Sequence, residues 1–257
     1  MPSSDIIIAG SPRSFIYVDE PIIHAASVIE ALPPDKWIEI DNRELGSPVR
    51  DQKIYPTCAG FSSVTAYDII SRRMGKVPPL LSGTYPFVIS NNDSHGARLS
   101  VVMDNFQNHG TCPNEYCPVN LVRRDNLPEE AQAKATFKPE EASVARLMSV
   151  EEIGTALSQK AIVVTISPIG PGLNDLDAHG IIPLPERKLG YHAWCAIGLS
   201  KLPAGVVSRL PWMFLVQSSW GEQWGANGYG FLLAEHFDAL NRPVTAYSLW
   251  PGRPNGV

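Results

Sequence analysis

In the stretch Tyr55-Pro56-Thr57-Cys58-Ala59-Gly60-Phe61, Cys58 is the residue best placed to do chemistry. The run behind it sets Phe61, Val64 and Ile69 at helical intervals, with Tyr67 or Asp68 between, so the cysteine stands at or near the first turn of a helix. Unpaired backbone N–H groups and the positive end of the helix dipole favour an anion there, and a thiol in that place loses its proton more easily than one in free solution. A cysteine nucleophile also needs a base, and donors for the oxyanion that forms when a carbonyl is attacked. His192, which follows Gly190-Tyr191 at the start of an apolar strand, is the candidate base. Gln52, six residues ahead of the cysteine, is the candidate donor. Taken singly, an unpaired cysteine is as readily a small buried hydrophobe, and a lone histidine is more often structural or solvated.

The elements that must position these residues change character along the chain. Pro56 to Gly75 reads as one helix, and Leu99 to Gly110 as a second, amphipathic one through Leu99, Val102, Met103 and Phe106. Helical signals recur at Pro139 to Met148 and at Ser149 to Gln159, where Ser149 ahead of Glu151-Glu152 is a cap. Four short β-branched or aromatic runs follow, separated by Gly and Pro: Ala161 to Ile169, His192 to Ser200, Trp212 to Trp220 and Gly228 to Ala234. A helical half followed by an antiparallel sheet or barrel is an α+β layout, with a cleft expected between the two lobes. Residues 1–40, rich in Pro, Ser and Ile and broken by Pro33-Pro34, read as an extension packed on the body.

Composition narrows the function classes. The chain has 257 residues, 44% hydrophobic and 18% charged, as expected of a folded domain or two lobes around a substantial core. Its net charge is −5, and the basic runs amount to Arg72-Arg73 and Arg123-Arg124, so no nucleic acid is expected as partner. No stretch is long and apolar enough for a membrane span. The start, MPSSDIIIAGSPRSF, lacks the basic and long apolar parts of a signal peptide, which points to the cytoplasm, or to carriage in a particle or by a non-classical secretion route. The four cysteines, Cys58, Cys112, Cys117 and Cys195, make no disulfide framework. Cys112 and Cys117 could bridge a loop, but thiols are the expectation without an export signal. The spacing of histidines and cysteines offers no metal site.

Taken in order, the pieces resemble the papain-like cysteine peptidases. The resemblance begins at Asp41-Asn42-Arg43 and runs through Ser47-Pro48-Val49-Arg50-Asp51-Gln52 to Cys58 and Phe61-Ser62. It continues with Leu81-Ser82, Asp93 to Gly96, Gly180-Ile181-Ile182-Pro183 and Gly-Tyr-His-Ala around His192, and ends in QSSWGEQWGANGYGF, Gln217 to Phe231. It implies a papain-like domain over 41–257, with a helical lobe over about 41–148 and a β lobe over about 149–257. It further implies an endopeptidase acting on a protein or peptide substrate without a cofactor. Cys58 would attack as a thiolate held against an imidazolium on His192, and the Gln52 side chain with the Cys58 backbone N–H would receive the oxyanion. A thioester would form, His192 would protonate the leaving amine and then activate water, and Trp220 would shield the base from solvent. Trp224 and Tyr229 read as core.

The sequence departs from the family where it matters. An asparagine that orients the histidine should stand just before Ser219-Trp220-Gly221, and Ser218 occupies that place. A hydroxyl can accept the ring N–H, although it is an atom shorter and rotates freely; Gln217 and Asn227 are possible substitutes. Ala59 replaces the usual tryptophan and Tyr55 a usual cysteine, so the disulfide that braces this loop in secreted relatives cannot form. About 40 residues precede the Asp41 motif, so no long propeptide is expected, and residues 1–40 could lie over the cleft as a short plug. Two alternatives to an active peptidase stay open. One is a weak or inactive papain-like body that binds a partner or serves a larger protein assembly; the other is an acyl transfer other than hydrolysis.

Overall fold

A cysteine and a histidine so distant in sequence can act together only if the helix carrying one packs on the strand carrying the other, and that packing organises the fold. The computed structural model describes residues 6–8, 11–13, 29–90, 96–140, 144–239 and 244–252. Strands β1 (Ile6–Ile8) and β2 (Ser11–Arg13) form a two-stranded antiparallel pair. β3 (Ile40–Asp41) leads towards α1 (Cys58–Arg73), which is followed by α2 (Thr84–Ser90), α3 (Leu99–His109) and α4 (Glu129–Ala133). The remainder holds β4 (Val144–Leu147), α5 (Val150–Ser158), β5 (Ile162–Ile169), β6 (Gly190–Lys201), β7 (Trp212–Gln217), β8 (Tyr229–Leu233) and β9 (Ala246–Leu249). The expected α+β division is therefore present, with helices first and an antiparallel sheet after them.

The sheet runs β4-β9-β5-β6-β7-β8, with β3 pairing on β6, and every pairing is antiparallel. All eight residues of β5 are buried, because both faces of the sheet are covered. Ile162, Val164 and Ile166 join Ala193, Cys195 and Ile197 of β6 in a core beneath α1. Val163, Trp194 and Ala196 point to the other face, where α5, Trp37 and a group of tryptophans close a second core. The period-two split of neighbouring apolar residues between two cores is what a doubly covered sheet requires.

Two expectations about elements changed. The segment read as helical over Pro139 to Met148 contains β4, in which Ala145 and Leu147 are buried and pair along β9. Helix-favouring side chains there yielded to strand pairing because alternate residues had a core to enter. α2 is an element the sequence reading did not include; Pro86 lies in its first turn, where its missing N–H has no helical partner to lose. α5, by contrast, starts as read: the Ser149 hydroxyl accepts from Glu152 N at 3.1 Å, and Glu152 Oε2 accepts from Met148 N at 2.8 Å.

Of the segment read as an extension, residues 29–40 pack on the body. Leu32 N donates to Thr155 Oγ1 at 2.8 Å, and Trp37 lies against α5 so closely that a Cβ on Gly154 would meet its ring at 2.2 Å. The proposed plug falls largely on residues outside the described ones, as do Asp93, Ser94 and His95. Among the described residues no helix is long and apolar enough to cross a membrane.

Candidate active site

Cys58 opens α1 and is fully buried. Thr57, at the cap position, makes no side-chain hydrogen bond to the helix, and the first turn holds no acidic residue. The positive end of α1 is thus uncompensated by a cap or a carboxylate, and in that turn the thiol is the group that can become an anion. The approach of α2 needs the glycine after Ala59. A Cβ on Gly60 would lie 2.2 Å from the Gly83 carbonyl oxygen, and one on Gly83 would strike the Phe61 ring at 2.5 Å. One turn on, Ser62 Oγ donates to the Ala193 carbonyl at 2.8 Å, a buried bond between α1 and the residue next to His192. Cys58 and Ala59 share their core with Tyr191 and Ala193, which flank His192 on β6.

Gln52 is fixed by its neighbours on both sides. Its backbone N–H donates to Ser219 O at 2.8 Å, its Oε1 accepts from Ser219 Oγ at 2.5 Å, and its Nε2 donates to Tyr55 O at 2.6 Å. Asp51 and Trp220 form an antiparallel bridge, and Gly221 N donates to Arg50 O at 3.0 Å. Residues 50–52 and 219–221 therefore run side by side, tying the glutamine to the tryptophan that covers His192. Arg50 anchors the same segment to α1. Its guanidinium is buried, 3.8 Å from Asp68 Oδ2, and it donates to Thr65 Oγ1 at 3.3 Å; Arg72 reaches the same carboxylate at 3.1 Å. Burial pulls the Arg50 guanidinium below its ordinary pKa, and Asp68 opposes that shift.

His192 sits in β6 opposite Ser167 of β5 and is fully buried. Its ring stacks on Trp220 at 3.8 Å between centroids and 29° between planes, and meets the edge of Trp194 at 4.5 Å and 78°. Neither ring nitrogen has a hydrogen-bond partner among the described residues. Burial drives the imidazole pKa well below 6.5, which disfavours the charged form.

No family model matches the chain. Over 207 residues it is 27% identical to cathepsin K of Gallus gallus, covering 75% of this chain and 58% of that protein. Over 58 residues it is 36% identical to an uncharacterized peptidase C1-like protein of Acanthamoeba polyphaga mimivirus, covering 21% of this chain and 16% of that one. The solved structure of xylellain, a cysteine protease from Xylella fastidiosa, superposes with a TM-score of 0.75 at 14% identity, covering 98% of this chain and 100% of that one. The chain has the fold of the papain-like cysteine proteases, and its sequence is similar to theirs. It spans less than two thirds of the length of the two curated relatives.

Within this papain-like fold Cys58 lies at the start of α1, Gln52 in the loop ahead of it and His192 on β6. Ser218 departs from expectation. Its hydroxyl is buried without a hydrogen-bond partner, so it does not accept from the imidazole, and Gln217 is engaged elsewhere, donating from Nε2 to Pro48 O at 2.9 Å. A serine side chain stops one atom short of where an amide oxygen would reach. Asn227 takes φ 55° in a turn, in line with a turn role. None of the four cysteines forms a disulfide. Burial, with Cys117 nearby, pushes the Cys112 thiol up to about 12, and burial likewise pushes Cys117 up to about 11 and raises Cys195, which favours the protonated thiol at all three. Among the described residues no group of three or more His, Cys, Asp or Glu side chains could hold a metal. Trp194, Ser167, Arg50 and Asp68 went unremarked as site residues in the sequence. Trp194, two residues beyond His192 on a strand, was the signal available, because i and i+2 share a face.

Proposed function

We propose that this chain hydrolyses peptide bonds in protein substrates, with Cys58 as nucleophile and His192 as acid–base. The observation that carries the reading is the uncapped, acid-free start of α1 at Cys58, bonded through Ser62 to the strand that bears His192. Cys58 would pass its proton to His192, and its sulfur would add to the substrate carbonyl carbon. Negative charge on the oxygen would meet the Cys58 backbone N–H and the side-chain amide of Gln52. Collapse would break the C–N bond as His192 protonates the leaving amine, leaving a thioester. His192 would then take a proton from water, whose oxygen displaces the sulfur and frees the acid. Substrate would lie along the cleft between the helical lobe, 41–148, and the β lobe, 149–257. No cofactor enters these steps.

The unbonded His192 nitrogens and Ser218 hydroxyl favour a second reading, a papain-like body with little turnover that serves to bind a partner. One experiment separates the two. The rate of Cys58 alkylation by iodoacetamide is followed against pH by mass spectrometry in the native protein and in His192→Ala. Fast reaction persisting well below the ordinary thiol pKa of about 8.5, and lost in the variant, supports the peptidase. A rate that follows an ordinary thiol in both proteins supports the binding body.

A further inference from the structure

We propose that Trp194, anchored by Ser167, is the positioning residue for the His192 imidazole in this chain, taking the place of a hydrogen-bonding side chain. This rests on the reading of His192 as the acid–base. Such a ring must be held close to its working orientation, and the usual means is a hydrogen bond to the nitrogen that faces away from the nucleophile. Here both ring nitrogens and the Ser218 hydroxyl lack partners among the described residues. What touches the ring is aromatic. Trp220 lies nearly parallel at 3.8 Å, which stops the imidazole from tilting but leaves it able to turn within its own plane. Trp194 approaches at 78°, with centroids 4.5 Å apart, and blocks that remaining motion. Perpendicular and offset contacts are the favoured aromatic geometries, so the pair restrains rather than merely fills.

Trp194 can serve as a fixed point because it is itself bonded. Its Nε1–H donates to Ser167 Oγ at 2.8 Å, both residues are buried, and Ser167 stands directly across from His192 in the β5–β6 register. His192, Trp194 and Ser167 thus share one sheet face, where opposite and diagonal side chains meet. Trp194 also meets Trp220 at 5.6 Å and 77° and Trp224 at 5.5 Å and 42°. The indole nitrogens of Trp220 and Trp224 have no partner among the described residues, so of the three tryptophans it is Trp194 whose place a hydrogen bond sets.

The test compares the full-length chain with Ser167→Ala, Trp194→Phe, Ser218→Asn and the Ser167→Ala/Ser218→Asn pair, each labelled with ¹⁵N in its histidine rings. Positioning predicts one sharp set of His192 ring signals in the native protein and broadened or doubled signals in Ser167→Ala, with unchanged melting cooperativity. It also predicts Cys58 alkylation slowed about tenfold in Ser167→Ala, the loss of roughly one aromatic restraint. Ser218→Asn supplies an amide oxygen to the ring, and in the double variant it restores both the sharp signals and the rate. Native His192 signals in both Ser167→Ala and Trp194→Phe would overturn the proposal, as would a double variant that stays as impaired as Ser167→Ala. A native Cys58 that alkylates no faster than an ordinary thiol would defeat the peptidase reading, while the ring signals would still decide whether Trp194 positions the imidazole.

Discussion

At the scale of single residues the question is how charge separates in a buried place. On the proposed mechanism Cys58 would gain from the uncompensated end of α1 while burial opposes a charged His192, so proton transfer between them would have to be a coupled event. In the proposed mechanism Gln52 would act in the later step, in which the oxyanion forms. We expect Gln52→Ala to lower kcat for a fluorogenic peptide by about 10²-fold or more, the usual effect of removing one oxyanion donor, with KM little changed. Because Gln52 also bonds Ser219 and Tyr55, the thermal midpoint is measured alongside. A kcat close to native in a folded Gln52→Ala protein would remove the glutamine from the mechanism. Cys58→Ser should retain the fold and lose turnover, and residual hydrolysis above background would point to a nucleophile elsewhere.

At the scale of elements, α1 is the part on which everything is hung, and its docking can be challenged from two sides. Gly60→Ala places a methyl 2.2 Å from the Gly83 carbonyl, and neither backbone can give way easily. We expect a loss of about 1–3 kcal/mol in urea titration, together with slower Cys58 alkylation as the helix start shifts. Unchanged stability would mean that α2 is not held where the packing puts it. On the other side, Asp68→Asn leaves the Arg50 guanidinium buried without its anion, which typically costs about 3–5 kcal/mol. Since Arg50 leads directly into Gln52, that variant should also lower turnover, and a loss of stability without any loss of turnover would show that the anchor is structural only.

What the sequence made legible follows from how far apart the partners lie. Cys58 with its helix, the Ser149 cap of α5 and the β5 to β8 runs are announced within a few residues, and the strands that fill a doubly covered sheet declare themselves as continuous apolar runs. β4 was misread because its alternation spans four residues and its meaning comes from β9, about a hundred positions away. The Trp194–Ser167 bond and the Arg50–Asp68 pair were illegible for the same reason: no local pattern marks a hydroxyl or a carboxylate as the partner of a distant ring or guanidinium. The failure of Ser218 to bond the imidazole is a matter of reach within a folded site, which sequence does not measure.

At the scale of the whole molecule, two buried histidines make stability depend on pH in one direction. His236 is buried, accepts from Leu233 N at 3.0 Å through Nδ1, and is pulled down to about 4, mainly by burial. In the unfolded chain a histidine takes its proton near pH 6.5, so below that pH the unfolded state binds a proton that the native state refuses. Stability is complete above about pH 6.5 and falls as the pH drops towards 4, by roughly 3 kcal/mol from this one group at 1.36 kcal/mol per unit. His192, shifted the same way, steepens the fall unless a Cys58 thiolate pairs with it. The check is calorimetry from pH 7 to 4 on the native protein and on His236→Asn, whose side-chain oxygen can accept from Leu233 N without titrating. Native protein should lose about 5–10 °C more than the variant across that range. Parallel curves would mean that His236 opens to water before it protonates, and that the β7–β8 end of the molecule is looser than its burial implies.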